Sequence, residues 1–438
     1  MFPADRPSGG AERRIYVAFP RWRELTAARV TRGPDHVLMV GDLGVLSLYE
    51  GFFSGGARIL HSDVLVGLLG HGQRHRVLSI HGQAHREATL QRMQDDASYR
   101  KLVAAGIPVS ALRDGSTGPA DFDEAELAAF EREASDADVI FTLKEQPLRL
   151  VNQAGTLDKP VITCLHRSDP ENQGQALDQL RASVSTGAIA ALVCCAESTR
   201  AAYRAAGIPA DLLQVIPNGV DLRRFRPDRQ ARARLRRALG ITADAPVIAF
   251  AARYDLMKNV PLFLRAAAVF LAAWPDAHVV MCGAGMTTAN PHLTADLALV
   301  GLETSSRLHR LGVRDDPQVL YAAADVVSLT SAFGEAAPLC LIEGMMCGAI
   351  PVATDVGDCA SIVACRGLLT MPDPDAIAGA WAEALARRDQ FVPALLASRG
   401  QFGRRRMIAA YARLIHRVSN MPTPMPLGVT AQRTEAAA

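Results

Sequence analysis

The chain has 438 residues, 49% of them hydrophobic, with 47 Lys and Arg against 45 Asp and Glu for a net charge of +2. That length is too great for one ordinary core and fits two domains of about 200 residues each. The balanced charge excludes a global field that would recruit nucleic acid or anionic lipid, so any charged ligand has to be held locally.

Residues 1–40 carry no convincing pattern and are expected as a poorly ordered N-terminal extension. The run SGGAER (8–13) resembles a glycine turn opening a helix, but MFPADRP before it cannot be the required strand, so no function is assigned to it. Met39 is a candidate for the true start. From there short β-rich runs alternate with helical stretches: VLSLYE (45–50), a helix from Ala57, RVLSIHG (76–82), VIFTLK (139–144), PVITCLH (160–166) and IAALVCCAE (189–197). This is the βαβ rhythm of a parallel sheet covered on both faces, and it gives an N-terminal domain over 41–215.

In VIPNGVDLRRFRPD (215–228), Pro217, Asn218 and Gly219 supply turn chemistry and Pro227 stops regular structure, which places a hinge there. A second series follows over 216–403: PVIAFAARYD (246–255), HVVMCGAG (278–285), DVVSLTS (325–331) and IPVATDV (350–356). The fold class implied is α/β, with two Rossmann-like, doubly wound domains facing a central cleft. A last helix over 404–419 could cross back to the N-terminal domain, and the Pro/Thr/Ala-rich tail 420–438 is expected to be disordered.

Eight cysteines (164, 194, 195, 282, 340, 347, 359, 365) form no CxxC pair and have no histidine at metal spacing, so they read as small buried thiols of a reducing compartment. No run reaches the roughly 18 apolar residues of a membrane span, and no signal core is visible. A cytoplasmic protein with no integral membrane association is expected.

Three loops fall at the C-terminal ends of expected strands, where open α/β sheets bind ligands. At Gly55 and Gly56 the missing β-carbons let a phosphate or sugar approach the backbone ahead of a helix, or simply make a tight turn. In the second domain Arg253 ends one strand and Lys258 follows five residues on; arginine as a fork and lysine as a point charge suit a diphosphate. Only Lys101, Lys144, Lys159 and Lys258 are lysines, which makes the choice at 258 noticeable. The third loop is FGEAAPLCLIEGMMCG (333–348), whose glutamates Glu335 and Glu343 flank an apolar run. Carboxylates there can accept hydrogen bonds from sugar and ribose hydroxyls, the amides of Ala336 and Ala337 can serve an anion, and Pro338 suits a helix start before Leu339.

SGGAR (54–58), the histidine ending PVITCLH, VIPNGVDLRRFRPD, RYDLMKN, CGAGM and FGEAAPLCLIEGMMCGAIPVATDVGD together resemble the family-four retaining glycosyltransferases of GT-B architecture. The resemblance spans roughly residues 45 to 415 and is most specific from Ser331 to Asp358. It implies a nucleotide-sugar donor, clasped mainly by the C-terminal domain, and an acceptor held by the N-terminal one. Arg253 and Lys258 match the family's diphosphate ligands, Glu343 its ribose ligand, Glu335 the glutamate at the donor sugar's hydroxyls, and His166 the histidine near the transfer centre. Gly55 and Gly56 match its glycine loop. Gly283, Ala336, Ala337, Pro338 and Leu339 complete the donor-binding set. The chain departs from the family in GAIPVAT and in MMCG, neither at a ligand position.

Retention by front-face attack, with the leaving phosphate helping to deprotonate the acceptor, is what the resemblance implies, because no carboxylate pair stands out as nucleophile and acid. No metal or other cofactor is expected: Asp136/Asp138 precede the strand VIFTLK, the wrong end, Asp121/Asp123 and Asp373/Asp375 lie in helix-leading segments, and all read as solvated acids. LYEGFFSGGARILHSD, VLSIHGQAHREATLQRM, LKEQPLRLVNQAG and CLHRSDPENQG are similar to the second glycosyltransferases of aminoglycoside pathways, which add kanosamine or xylose to a pseudodisaccharide. A small polar, polyamine acceptor would need counter-charges, for which Glu50, Glu145, Asp169 and Glu171 are candidates at N-terminal strand ends. Solvated loop acids are the plain alternative. A glycosyltransferase of polysaccharides or glycolipids, an NAD-dependent oxidoreductase using Gly283 and Gly285, and a non-catalytic nucleotide-sugar binder are the competing readings. Oligomeric state is not readable from the residues.

Overall fold

The apolar runs of the first half are short, rich in Val, Ile and Leu, and bounded by polar turns, so each forms a strand buried on both faces. The computed structural model describes residues 43–53, 55–86, 89–118, 120–155 and 158–421. The expectations for 1–40, SGGAER, Met39 and the tail beyond Met421 lie outside the described residues, as does Ser54.

The N-terminal strands are β1 (Leu43–Tyr49), β2 (Gln73–His81), β3 (Gln83–Arg86), β4 (Thr89–Arg92), β5 (Val109–Arg113), β6 (Val139–Leu143), β7 (Val161–Leu165), β8 (Ile189–Cys194) and β9 (Leu213–Val215). Seven of them form a parallel sheet in the order β5-β2-β1-β6-β7-β8-β9, while β3 and β4 make a separate antiparallel hairpin. The C-terminal strands are β10 (Val247–Ala251), β11 (His278–Cys282), β12 (Leu308–Arg310), β13 (Val326–Leu329), β14 (Ile350–Thr354) and β15 (Leu368–Thr370). They form a second parallel sheet in the order β12-β11-β10-β13-β14-β15. Two doubly wound α/β domains result, as the spacing of the apolar runs implies.

The central strands are those the sequence pattern shows. The hairpin and the edge strands β5, β9, β12 and β15 escape it, because they are short or only half-buried and carry no continuous apolar run.

Helices cover both faces of each sheet. The last helix, Arg404–Ser419, returns to the N-terminal domain and buries Met407, Ile408, Tyr411, Leu414, Ile415 and Val418 in that domain's core. Two chain segments therefore link the domains, and they run side by side. The Val220 amide donates to the Phe402 carbonyl at 2.8 Å, and the Arg404 amide to the Val220 carbonyl at 2.9 Å. Paired crossings of this kind confine relative motion to a hinge.

The C-terminal sheet is anchored at its amino end by Asp325, just before β13. Its buried carboxylate accepts from Arg232 at 2.8 Å, Arg236 at 2.7 Å, the Val247 amide at 2.9 Å, and Arg388. Burial works against the charge, but the three guanidinium groups outweigh it and hold the carboxyl below its ordinary range. Among the described residues the segment Leu256–Ala273 is apolar enough over 18 residues to cross a membrane by length and composition, contrary to the expectation of no such run. Its helical part packs Phe263 and Phe270 on Trp381 in the C-terminal core.

Candidate active site

In each sheet the strand order reverses once as the chain is followed: between β1 and β6, and between β10 and β13. Ligands of open α/β sheets bind outside the carboxyl ends of strands at such points. All the residues argued from the third loop and from Arg253 and Lys258 lie there.

Behind β10, the Arg253 guanidinium donates to Asp255 at 2.6 Å, and the other Asp255 oxygen takes the Met257 amide at 2.8 Å. This fixes the turn Leu256–Lys258. Burial raises the Asp255 carboxyl, but Arg253 beside it prevails and holds it low. Lys258 turns inward and hydrogen-bonds the Glu335 carboxylate, whose same oxygen accepts the Ser331 hydroxyl at 2.6 Å. Burial alone would favour the neutral amine at Lys258; Glu335 reverses that and raises its pKa.

Glu335 belongs to the loop after β13, and a second loop grips it from behind. Gly357 has φ of 64°, and a β-carbon there would strike the Glu335 carbonyl oxygen, while the neighbouring Asp358 amide donates to the Ala336 carbonyl at 2.8 Å. Only glycine lets the two loops approach so closely. Pro338 then precedes the helix Leu339–Met346, which carries Glu343 half-buried beside Tyr321. Burial pushes the Glu343 carboxyl up to about 7, with the Tyr321 hydrogen bond opposing.

The N-terminal wall meets this loop directly. Gly55 caps the helix Gly56–Leu69 in extended geometry, and a β-carbon on Gly56 would lie 3.5 Å from the Leu339 side chain across the cleft. The Ser168 hydroxyl hydrogen-bonds the Glu335 carbonyl, Asn218 donates to the Ala337 carbonyl at 2.9 Å, and Asp358 accepts the Glu197 and Ser198 amides at 2.9 and 2.8 Å. His166 follows β7, with Nε2 buried and unpartnered. Burial, aided by the Lys144 charge, depresses its pKa to about 3, so the ring is neutral.

Several expectations need correction. Three of the four acids proposed for an acceptor, Glu50, Glu145 and Asp169, do not stand as free counter-charges. Asp169 is clamped by Arg167 through two contacts of 2.6 Å, and Glu50 accepts from Arg149 at 3.1 Å. Glu145 is 1% exposed and accepts from Gln173 at 3.0 Å; burial raises the carboxyl of both Glu145 and Glu50. Glu171 alone of the four is exposed. Ala336 and Ala337 pack against Cys195 and Ala196 of the N-terminal domain. Gly283, with φ of 134°, would drive a β-carbon into the Ala252 carbonyl, so the packing of two loops accounts for it without a dinucleotide.

The DxD acids do structural work. Asp138 accepts the Gly44 amide at 2.7 Å, and Asp123 and Asp373 cap helices. Among the described residues no group of three His, Cys, Asp or Glu side chains could hold a metal ion. Sequence reasoning passed over Ser331 and Asp255, whose partners are near neighbours, and Ser168 and Asp358, whose partners lie far along the chain.

Known proteins match in both halves. The family description "Glycosyltransferase Family 4" fits residues 105–224 and "Glycosyl transferases group 1" fits 245–387. The Anabaena HepE structure in complex with UDP superposes with a TM-score of 0.69 at 22% identity, over 86% of this chain and 99% of that one. WaaG, a glycosyltransferase involved in lipopolysaccharide biosynthesis, gives 0.65 at 15% identity, over 85% and 99%. The chain has the two-domain GT-B fold of these structures.

Among curated relatives, the D-inositol 3-phosphate glycosyltransferase of Saccharomonospora viridis is 36% identical over 40% of this chain and 42% of its own length. That of Xylanimonas cellulosilytica is 33% identical over 57% of each. The chain thus spans about half the length of the curated relatives it matches. In this chain the segment matching the group 1 description contains Arg253, Lys258, Gly283, Glu335 and Glu343, the segment matching the family-four description contains His166, and Gly55 and Gly56 lie outside both.

Proposed function

We propose that the protein transfers a sugar from a nucleoside-diphosphate donor, a UDP-sugar, to a hydroxyl of a small polar acceptor, with retention at the anomeric carbon. One observation carries the reading: Arg253, Lys258, Glu335 and Glu343 converge at the β10/β13 reversal, and Gly56 and Ser168 touch the same loop from the other domain. Cations on one strand end and carboxylates on the next suit a ligand that is anionic at its centre and hydroxylated at both ends.

Breaking the anomeric bond builds negative charge on the diphosphate and positive charge on the sugar ring. Arg253 and Lys258 stabilise the first where it develops, and Glu335 fixes the sugar through its hydroxyls. Neutral His166 contributes a hydrogen-bonding ring, not a charge. In front-face attack the anomeric C–O bond breaks with its electron pair on the phosphate oxygen, the acceptor oxygen bonds carbon from the same side, and its proton passes to the departing phosphate. No metal and no other cofactor enters these steps.

For the acceptor we favour a cyclitol-bearing compound, specifically an aminocyclitol pseudodisaccharide of aminoglycoside antibiotic biosynthesis. Support comes from the sequence likeness over 48–63, 77–93, 143–155 and 164–174 and from relatives named for a cyclitol phosphate. The pairing of Glu50 and Asp169 with arginines removes most of the polyamine counter-charge argument, so the ring, more than its amines, carries the proposal. Free thiols throughout fit a cytoplasmic setting.

Mass spectrometry of the purified protein with UDP-sugars and a 2-deoxystreptamine pseudodisaccharide, without added metal, tests the reading beside Glu335→Gln. A pseudotrisaccharide that vanishes in the variant supports it. Transfer only to another sugar or to a lipid alcohol keeps the transferase and discards the aminocyclitol.

A further inference from the structure

Glu335 is held from both domains. Its carboxylate is held within its own domain, by Lys258 and Ser331, while its backbone is held from the other. The Ser168 hydroxyl hydrogen-bonds the Glu335 carbonyl, and the preceding residue, Gly334, is enclosed by three side chains. A β-carbon on Gly334 would lie 2.8 Å from an Arg167 guanidinium nitrogen, 3.0 Å from the Met257 sulfur and 3.2 Å from an Asp169 carboxylate oxygen. With φ of 72° the position also favours glycine for its backbone alone.

Arg167 and Asp169 form one unit on the N-terminal wall. The guanidinium meets both carboxylate oxygens as a fork, at 2.6 Å each, and Asn172, in the turn Pro170–Gln173, donates to the same carboxylate at 3.3 Å. Both side chains are half-buried, and Arg167 lies close enough to Asp255, the partner of Arg253, to feel its charge. The pair therefore meets the C-terminal domain where the turn Leu256–Lys258 and the Glu335 loop are themselves joined, by the Ala332 amide donating to the Met257 carbonyl at 2.8 Å. When Lys258 exchanges the Glu335 carboxylate for phosphate, these contacts from the facing domain are what still hold the Glu335 backbone.

We propose that Arg167, held by Asp169, is a positioning residue of the donor-sugar site, which fixes the Gly334–Glu335 backbone from the acceptor domain so that the Glu335 carboxylate stays aimed at the sugar hydroxyls. This rests on the nucleotide-sugar reading. The pair touches no reacting atom. Its effect is geometric, and it shows only when a sugar is attached to the nucleotide.

Calorimetric titration of the full chain with UDP and with UDP-glucose, UDP-galactose, UDP-N-acetylglucosamine and UDP-xylose gives, for the UDP-sugar that binds tightest, its gain in affinity over UDP. Expected in Arg167→Ala is an unchanged UDP affinity and a gain reduced by about tenfold or more, to near that of Glu335→Gln, the scale of one hydrogen bond to a charged group. Asp169→Ala gives the same loss, the double alanine variant loses no more than either alone, and the exchanged pair Arg167→Asp/Asp169→Arg recovers part of it. Gly334→Ala, which drives a β-carbon into the pair from the other domain, lowers the gain as well. Where Arg167→Ala does not fold, Arg167→Lys, which keeps the charge and loses the fork, is read in the same way. An unchanged gain in these variants overturns the proposal, as does a parallel loss of UDP affinity, which would make Arg167 a phosphate ligand or a residue of the fold alone. A wild type that binds UDP and gains nothing from any sugar also overturns it, and leaves the diphosphate site standing. Failure of the wild type to bind UDP overturns the donor reading itself, and this proposal with it.

Discussion

Lys258 and Glu335 are in direct hydrogen-bonded contact, although one sits behind β10 and the other behind β13. The lysine proposed for the phosphates is therefore held by the carboxylate proposed for the donor sugar. Donor binding has to exchange this contact for phosphate on one side and hydroxyls on the other.

Two substitutions separate the roles. Glu335→Gln releases the ammonium and weakens the hold on the sugar, so nucleoside-diphosphate affinity is retained or increased while transfer falls by about a hundredfold or more, the scale of one transition-state contact. Lys258→Met leaves a buried carboxylate unpaired and removes a phosphate ligand, so it lowers diphosphate affinity and melting temperature together. Calorimetry beside steady-state kinetics decides. Equal loss of diphosphate affinity in both variants would show that the pair acts only as a structural unit.

The Glu343 carboxyl, pushed up to about 7 by burial, predicts a pH dependence in binding. Hydroxyls donate to the carboxylate and not to the acid, so nucleotide affinity should rise as pH increases through 7. Stability should move the other way. The folded carboxyl binds its proton more tightly than the unfolded one, so its favourable contribution is full below the unfolded value near 4.3 and lost as pH climbs towards 7, by at most about 4 kcal/mol. Glu343→Gln should flatten both curves between pH 5 and 8.5. A wild-type nucleotide Kd that does not change across that range would remove Glu343 from the ribose.

What was legible in the chain follows from how far apart the partners lie. The central strands announce themselves because burial on both faces forces continuous apolar runs such as VIFTL and VITCL. Arg253, Lys258 and Glu335 could be singled out because each is a charge just past the end of such a run, and Glu343 because it interrupts an apolar helix. Asp358 could not, since its partners at Glu197 and Ser198 lie about 160 residues away in the other domain. Nor could the neutralisation of Asp169 and Glu50. Arg167 is a near neighbour of Asp169, but Arg149 reaches Glu50 only once β1 and β6 are paired.

Asp358 ties the domains together by accepting two amides at the first turn of the helix Glu197–Ala205. A carboxylate there satisfies orphan N–H groups and faces the positive end of the helix dipole. Asp358→Ala should cost about 1 kcal/mol of stability, as for the loss of a helix cap. The larger effect should be on catalysis, since the same loop holds the Ala336 carbonyl. A fall in kcat/KM of about tenfold, with a larger radius of gyration by small-angle scattering, is expected for about 1.4 kcal/mol of lost closure. An unchanged radius with full activity would mean that Ser168 and Asn218 hold the cleft without it.

Asp325 offers the sharpest stability test, because it lies away from the strand ends that bear the site. Arg232, Arg236 and Arg388 all bond a carboxylate that is 5% exposed, and Arg236 is itself buried. Removing the anion leaves three guanidinium groups facing one another, so Asp325→Ala should destabilise by about 3 to 5 kcal/mol, the range for breaking a buried ion pair. Asp325→Asn keeps the shape and should recover part of that. The sign with pH follows from the depressed carboxyl: its contribution is complete above the unfolded value near 3.9 and is lost as pH falls through the lower folded value. Urea melts at pH 7, 5 and 3 should therefore show wild type and Asp325→Asn converging at the lowest pH. Variants within about 0.5 kcal/mol of wild type at pH 7, the range of an ordinary surface substitution, would mean that backbone carbonyls at Ala323, Ala324, Thr242, Ala243 and Ala245 hold Arg232 and Arg236 without the carboxylate.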